Sequence, residues 1–433
     1  MYFSKHNIFS KIKDSENYFL VNPLLQKADI LTKEEAQKIK NKDYSDSLLT
    51  ENGYLIDEAT ETSLFNEKYL QFIDDRETDE IQIFFVPWYS CNFACSYCYQ
   101  DEYNNPDNII SNDVIDAFFS YIDNNFRNRK KYITIFGGEP LLSGEKYKKA
   151  ITYIIDAAKK RKLDLAFVTN GYSIEDYIDI LKDAPIREIQ VTLDGLATTH
   201  DKRRFLKNRQ GSFEKIVSGI DLLIKNNIPV NLRMVVDKEN ITDLPMLANF
   251  SIEKGWTKSS LFKTQLGRNY ELHHCQTNNQ RLFSRIELYE TVYALIQKHP
   301  EILEFHKPGF SISKFIFENG ELPSPLFDSC PGTKTEWAFD FSGHIFSCTA
   351  TVGKQNESLG TYYPEVKLHN ELITDWETRD VLSIQEYAQC NVQLACGGGC
   401  ASVAKNKTNR ILSPDCRPVK ELLELGIKTY FKE

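Results

Sequence analysis

Between residues 81 and 299 short apolar runs alternate with longer amphipathic ones, and this alternation limits the possible folds more than any other feature. IQIFFVPWY (81–89), YITIFGGEP (132–140), LDLAFVTNG (163–171), IREIQVTLDG (186–195) and PVNLRMVVD (229–237) read as strands, with a sixth near SSLFKTQ. The stretches DVIDAFFSYIDNNF, EKYKKAITYIIDAAKK, IEDYIDILKD and SFEKIVSGIDLLIKNN space their apolar residues as helices do. A weaker helix (243–254) and RIELYETVYALIQKH complete the series. Six such βα units predict a parallel sheet curled into a full or partial barrel. Barrel chemistry sits at the C-terminal strand ends. The unusual residues fall there: CNFACSYCYQ after the first strand, GGEP after the second, TNG after the third and LDG after the fourth.

A chain of 433 residues exceeds one ordinary core. The expected organisation is α/β: a small N-terminal α+β domain (1–78), a partial (βα)6 TIM-type barrel (79–310) and a loop-rich, cysteine-bearing C-terminal domain (311–433). In the first, YFLVNPLLQKADIL reads as a hairpin around Asn22-Pro23, and Thr32 and Glu35 stand in capping-box positions. The net charge of −9 gives no basic field for nucleic acid or acidic lipid. The first residues lack the apolar stretch of a signal peptide, and no apolar run reaches the roughly 18 residues of a membrane span. A cytoplasmic location is expected.

Nine of the ten cysteines form two groups, 91–98 and 330–416; only Cys275, beside His273 and His274, stands between. In a reduced compartment such grouping points to metal or catalysis before disulfides. Cys91-x3-Cys95-x2-Cys98 can wrap one small inorganic core. A structural zinc asks for four ligands. A cubane of four irons held by three cysteines keeps one iron open for a small molecule.

With Tyr97 before its last cysteine, this triad resembles the cluster motif of the radical S-adenosylmethionine superfamily. The resemblance implies a [4Fe-4S] cluster whose open iron chelates S-adenosylmethionine. One electron then cleaves the cofactor to a 5′-deoxyadenosyl radical, which takes a hydrogen atom from the substrate. Read alone, GGEP is a tight turn, Thr169 and Asn170 ordinary turn residues, Asp194 a strand-end cap, and Arg204 in DKRRFLKNR a solvated basic face. The resemblance instead implies cofactor contacts from Tyr97, Gly137, Gly138, Glu139, Pro140, Asn170, Thr192, Asp194 and Arg204. Glu139 would meet the methionyl amino group and Arg204 the carboxylate. His200 reads as structural.

Cys330-x12-Gly343-x4-Cys348, then Cys390-x5-Cys396-x3-Cys400 and Cys416, resemble the SPASM extension, which carries auxiliary iron–sulfur clusters. The pattern implies Cys330, Cys348 and Cys400 at an inner cluster and Cys390, Cys396 and Cys416 at an outer one, with Cys275 a candidate fourth ligand. Tyr387 stands where the pattern has a further cysteine, so one or two auxiliary clusters are expected. Thr349 stands where anaerobic sulfatase maturases have an aspartate base.

The resulting expectation is an enzyme that abstracts a hydrogen atom from a peptide encoded nearby, to form a thioether or carbon–carbon crosslink or an oxidation product. A flavodoxin or ferredoxin would supply electrons, and no nucleic acid or membrane is involved. No catalytic base is identifiable from sequence. The alternatives are a formylglycine-forming sulfatase maturase, a non-catalytic iron–sulfur electron carrier or scaffold, and a zinc-stabilised binding module. The N-terminal domain reads either as a peptide-recognition element or as a structural cap.

Overall fold

The computed structural model describes residues 1–98, 109–268 and 280–431. The N-terminal region begins with β1 (Tyr2–Phe3), β2 (Ile8–Lys11), β3 (Tyr18–Asn22) and β4 (Lys27–Leu31). β2, β3 and β4 form an antiparallel sheet, and β3 with β4 is the expected hairpin. α1 (Lys33–Lys40) begins on the expected capping box. The Thr32 side chain accepts from the Glu35 N–H, and the Glu35 side chain accepts from the Thr32 N–H. α2 (Ser47–Glu51) and β5 (Leu55–Ile56), which pairs with β1, lead into α3 (Glu58–Thr78).

The central unit follows the expected alternation: β6 (Ile81–Val86), α4 (Asn112–Asn125), β7 (Lys131–Ile135), α5 (Glu145–Lys160), β8 (Leu165–Thr169), α6 (Ile174–Leu181) and β9 (Ile186–Thr192). α7 (Ala197–Arg203), α8 (Phe213–Lys225), β10 (Val230–Val236), α9 (Leu244–Glu253), β11 (Phe262–Arg268) and α10 (Arg285–Lys298) complete it. The six strands are parallel and ordered β6-β7-β8-β9-β10-β11. Helices cover their outer face. α5 shows why: Ala150, Ile151, Ile154, Ile155 and Ala158 fall on one side and are buried against the sheet. On the same outer layer Phe85 stacks on Phe118 of α4 at 4.1 Å.

The sheet does not end at β6. After α11 (Ile302–Phe305) and α12 (Ser313–Asn319), β12 (Glu336–Asp340) pairs with β6 in parallel. It adds a seventh parallel strand to the six expected. β13 (His344–Phe346), β14 (Gly360–Thr361) and β15 (Lys367–Leu368) continue the sheet antiparallel. The cysteine-rich region is thus built onto the barrel edge. It completes the fold with α13 (Asn370–Glu377), α14 (Gln393–Cys396), α15 (Ala401–Thr408) and α16 (Val419–Tyr430).

The cysteine-rich region also has an apolar core. Phe327, Val381, Ile384, Tyr387 and Leu394 are buried together with Leu24, and Leu64, Phe65, Tyr69 and Phe72 of α3 pack on them. The rings of Phe65, Tyr69 and Phe72 lie 5.1, 5.3 and 5.6 Å from that of Phe327. A second patch joins Ile8, Phe19 and Val21 to Val419, Leu423 and Ile427. Sequence periodicity misses this core because its halves come from opposite ends of the chain.

One buried cation fixes the cysteine-rich loops. Arg379, fully buried, donates from Nε to the Ile411 carbonyl (2.9 Å), from Nη1 to Gly399 (3.1 Å), and from Nη2 to Gly398 (2.6 Å) and Ser413 (3.0 Å). Gly397, Gly398 and Gly399 all have positive φ, which glycine adopts without strain. Without Arg379 these carbonyls would lose their charged donor, leaving Gly398 to Tyr387 and the Asp415 N–H, Gly399 to Ser329 and Ile411 to the Ser413 N–H. Arg379→Met is therefore expected to cost about 3–5 kcal/mol. Thermal unfolding of both proteins checks this; an unchanged midpoint would show the loops to be held otherwise.

Candidate active site

The chain leaves β6 at Val86 and runs into the cysteine loop, which is clamped on two sides. On one side lies the segment after β7. The Glu139 N–H donates to the Ser90 carbonyl (2.9 Å), Gly138 N–H to Trp88 (3.3 Å), and the Trp88 indole to the Glu139 carbonyl (2.7 Å). On the other side the N–H groups of Ala94 and Ser96 donate to Phe205 and Arg203, both at 2.9 Å. Cys91, Cys95 and Cys98 are all partly buried and line one cavity of about 550 Å³.

Burial pushes the Cys91 thiol up, and Glu139, Cys95 and Cys98 push it further. Three thiolates in one pocket would repel one another, and a cationic centre among them would favour the ionised form. Among the described residues no three Cys, His, Asp or Glu side chains converge as they would around a single ion. Cys275, His273 and His274 lie outside the described residues.

The GGEP glycines serve packing as well as ligand access. A Cβ on Gly138 would overlap the Tyr89 and Ser90 carbonyl oxygens, and one on Gly137 would sit 2.7 Å from the Trp88 carbonyl. Only glycines let this segment lie against the cysteine loop. Both also face the cavity. Glu139 points the other way and is 1% exposed. One carboxylate oxygen accepts from Leu141 N–H (2.8 Å) and Thr169 Oγ1 (2.6 Å), the other from Asn170 N–H (2.6 Å). Burial raises its pKa to about 7 against these three hydrogen bonds. Pro140 is buried beside it. Asn170 Nδ2 donates to Asn92 Oδ1 (2.8 Å) and lies 3.9 Å from Cys91 Sγ.

At the end of β9, Thr192 faces the cavity while Asp194 is enclosed behind it. The Asp194 carboxylate accepts from Val235 N–H (3.0 Å) and Arg203 Nε (3.2 Å). Arg203 Nη1 also donates to Asp237 (2.9 Å), and its guanidinium lies 5.0 Å from the Tyr97 ring. DKRRFLKNR is therefore no solvated face at its two central arginines: both are buried. Arg204 lines the cavity, donates to Tyr97 Oη (2.7 Å), and keeps a buried Nε with no partner. That orphaned donor fits an acceptor carried by a ligand. His200 is enclosed, with Nδ1 accepting from Asp194 N–H (3.2 Å); burial lowers its pKa to about 3, so it is neutral. Of the nine cofactor contacts expected, Tyr97, Gly137, Gly138, Asn170, Thr192 and Arg204 line the cavity. Glu139, Pro140 and Asp194 stand behind it.

The barrel interior below is polar. Gln82, Tyr132 and Thr134, Glu188 and Gln190, Asn231 and Arg233, and Gln265 line it strand by strand. Their signal was present in the sequence: polar residues at alternate positions of otherwise apolar strands. Thr349 and Ala350 close one side. Beside Thr349 is a group the sequence did not reveal. Glu336, the first residue of β12, accepts from the Thr349 N–H at 3.0 Å. Burial raises its carboxyl to about 7.

The C-terminal thiols sort into two neighbourhoods. Burial, Glu336, Cys330 and then Cys400 raise the Cys348 thiol. Burial raises Cys396 against Arg417, with Cys390 adding to the rise. Tyr387 donates to the Gly398 carbonyl (3.1 Å) within reach of Cys396 and Cys416.

Residues 85–251 match the family model described as Radical SAM superfamily. A GTP 3′,8-cyclase of Campylobacter fetus is 32% identical over 171 residues, 38% of this chain and 50% of that protein. The chain thus spans about half the length of the cyclases it matches. A serine-type anaerobic sulfatase-maturating enzyme of Bacteroides thetaiotaomicron is 25% identical over 378 residues, 79% of this chain and 86% of that protein. Among solved structures, native anSMEcpe with bound AdoMet and Cp18Cys peptide aligns with TM-score 0.63 and 17% identity, covering 81% of this chain and 98% of that one. Streptococcus suis SuiB bound to S-adenosylmethionine aligns with TM-score 0.52 and 13% identity, covering 97% and 99%. At these identities the structural likeness is one of fold. The radical SAM match thus covers residues 85–251, which carry the cysteine triad, GGEP and Arg204, and the fold around them is shared with anSMEcpe and SuiB. No described helix is long and apolar enough to cross a membrane.

The raised Glu139 pKa predicts a pH signature. A carboxyl that titrates near 4.5 unfolded and about 7 folded contributes stability below 4.5 that is lost as pH rises through 7. In Glu139→Gln the stability difference between pH 5 and pH 8 should shrink by about 2 kcal/mol. Chemical denaturation at both pH values checks it; equal differences in both proteins would place the Glu139 pKa at its ordinary value.

Proposed function

We propose that this enzyme modifies a ribosomally made peptide, joining two of its residues through a thioether or carbon–carbon bond. The observation that carries the reading is the cavity itself. Three thiols and an orphaned arginine stand at its mouth, and its polar barrel interior is closed by the loop that follows Cys348.

In this reading Cys91, Cys95 and Cys98 hold the [4Fe-4S] cluster. Gly137 and Gly138 meet the amino group of S-adenosylmethionine, with the Glu139 charge behind them. Arg204, steadied by Tyr97, and Thr192 meet its carboxylate. When bound, the cluster and cofactor supply a radical that removes a hydrogen atom from the peptide. Arg203 keeps Asp194, Asp237 and the Tyr97 ring in register, so that Arg204 is presented to the cavity. Cys330, Cys348 and Cys400, and Cys390, Cys396 and Cys416, would hold auxiliary clusters, which would supply an electron acceptor or a site for a substrate thiolate. A flavodoxin- or ferredoxin-type reductant feeds the first cluster.

The N-terminal region (1–78) is proposed to recognise the peptide. β4 lies at the edge of its sheet with Ile30 exposed, and an extended peptide can add as a further strand. SuiB aligns over 97% of the chain and anSMEcpe over 81%, a difference close to the length of this region.

A second reading, a sulfatase-type maturase, draws on the Bacteroides relative and on Glu336, which puts a carboxyl near neutral pKa beside the threonine that replaces the expected aspartate.

Mass spectrometry of candidate peptides incubated with reduced enzyme and S-adenosylmethionine separates the two. A short peptide encoded beside this gene should lose two hydrogens, and its leaderless form should react at least about tenfold more slowly. Conversion of a cysteine-containing sulfatase peptide to formylglycine, with the neighbouring peptide untouched, would replace this reading by the second. Equal rates with and without leader would remove the recognition role of residues 1–78.

A further inference from the structure

The barrel interior holds a second guanidinium for which no ion pair is seen among the described residues. Arg233 lies in the middle of β10, paired in register with Thr192 of β9, and lines the cavity. Among the described residues its Nε is buried without a partner. Glu188, the carboxylate lining the same cavity, is engaged elsewhere. It pairs with Lys263 and accepts from Asn231 Nδ2 at 3.3 Å. Asn231, two residues before Arg233 and on the same face of β10, has a buried Oδ1 that is also unpartnered. The neighbouring strand makes room for this group. A Cβ on Gly267 of β11 would lie 2.6 Å from Arg233 Nε and 2.9 Å from Nη2. Gly267 has no positive φ, so its small size answers the guanidinium, not a turn.

Arg233 is half-buried, and leaving its buried Nε without an acceptor is costly; a planar carboxylate meets a guanidinium through two parallel hydrogen bonds. Arg204 stands at the cavity mouth against Tyr97. Arg233 sits within β10, with Asn231 two residues before it. We infer that Arg233 binds a carboxylate of the substrate, with Asn231 Oδ1 accepting from a donor next to it, so that the enzyme selects a peptide presenting an acidic group at this depth. This rests on the cavity being the peptide site. The carboxylate belongs to an acidic side chain or to the peptide C-terminus, which share the same chemistry.

The test reads binding, not turnover, so it stands or falls separately from cofactor cleavage. Reconstituted holoenzyme is treated with phenylglyoxal, and modification of Arg233 and Arg204 is mapped by mass spectrometry. The probes are S-adenosylmethionine alone, then with Ac-Gly-Glu-Gly-NH2, Ac-Gly-Gln-Gly-OH or the neutral Ac-Gly-Gln-Gly-NH2. S-adenosylmethionine alone should protect Arg204 and leave Arg233 reactive. One of the acidic peptides should then protect Arg233, which names the source of the carboxylate. Its affinity should fall about tenfold in Arg233→Gln, and also in Gly267→Ala, which keeps the charge but crowds it. Cofactor affinity should change less than about twofold in both. Protection of Arg233 by the cofactor alone, equal protection by the neutral peptide, or no protection by any peptide overturns the inference.

Discussion

The Glu139 carboxylate is the tie on which the site depends. Buried and facing away from the cavity, it joins the ends of β7 and β8 through Leu141, Thr169 and Asn170. Its own backbone holds the cysteine loop through Ser90 and Trp88. Three strand ends are thereby fixed relative to one another before any ligand is present. The negative charge costs desolvation free energy, and the hydrogen bonds offset that cost only in part. Arg203 does the corresponding work on the opposite wall, between Asp194, Asp237 and the Tyr97 ring. Residues that line the cavity are thus carried by residues that do not, and the motif residues divide between the two duties.

That division marks what could be read from sequence. The alternation of strands and helices is local, so β6 to β11 and the helices between them were legible, as was the capping box at Thr32. The cysteine triad and GGEP were legible because spacing and residue type together leave few chemistries open. Orientation was not. Nothing in LDG says that Asp194 turns toward Arg203 while Thr192 turns toward the cavity. Arg203 itself was hidden in a run that looks solvated. β12 escaped because it joins the barrel across 250 residues of chain, and Glu336 escaped with it. The polar stripe of Gln82, Thr134, Gln190, Asn231 and Arg233 was visible as broken apolar alternation within strands.

The cysteine-rich region and the N-terminal region depend on each other. Phe327 is packed by three aromatic rings of α3, and Tyr69 of that helix donates to Asp380 at 2.7 Å, next to Arg379. Arg379 in turn holds the carbonyls of the CGGGC loop between Cys396 and Cys400. A change at the N-terminal region therefore has a packed route to the auxiliary cysteines. Tyr387, in the place of an expected cysteine, contributes a buried ring and a hydroxyl to the same scaffold.

The central claim is that the cavity beneath Cys91, Cys95 and Cys98 performs radical cleavage of S-adenosylmethionine. The most direct measurement is 5′-deoxyadenosine formed by anaerobically reconstituted protein given dithionite and S-adenosylmethionine, with and without peptide. It is compared with a variant carrying alanine at all three cysteines. The account predicts product from the wild type and none from the variant, which keeps the iron of the C-terminal cysteines. Wild-type protein loaded with iron and sulfide that forms no 5′-deoxyadenosine under either condition, or that binds only zinc, would contradict it.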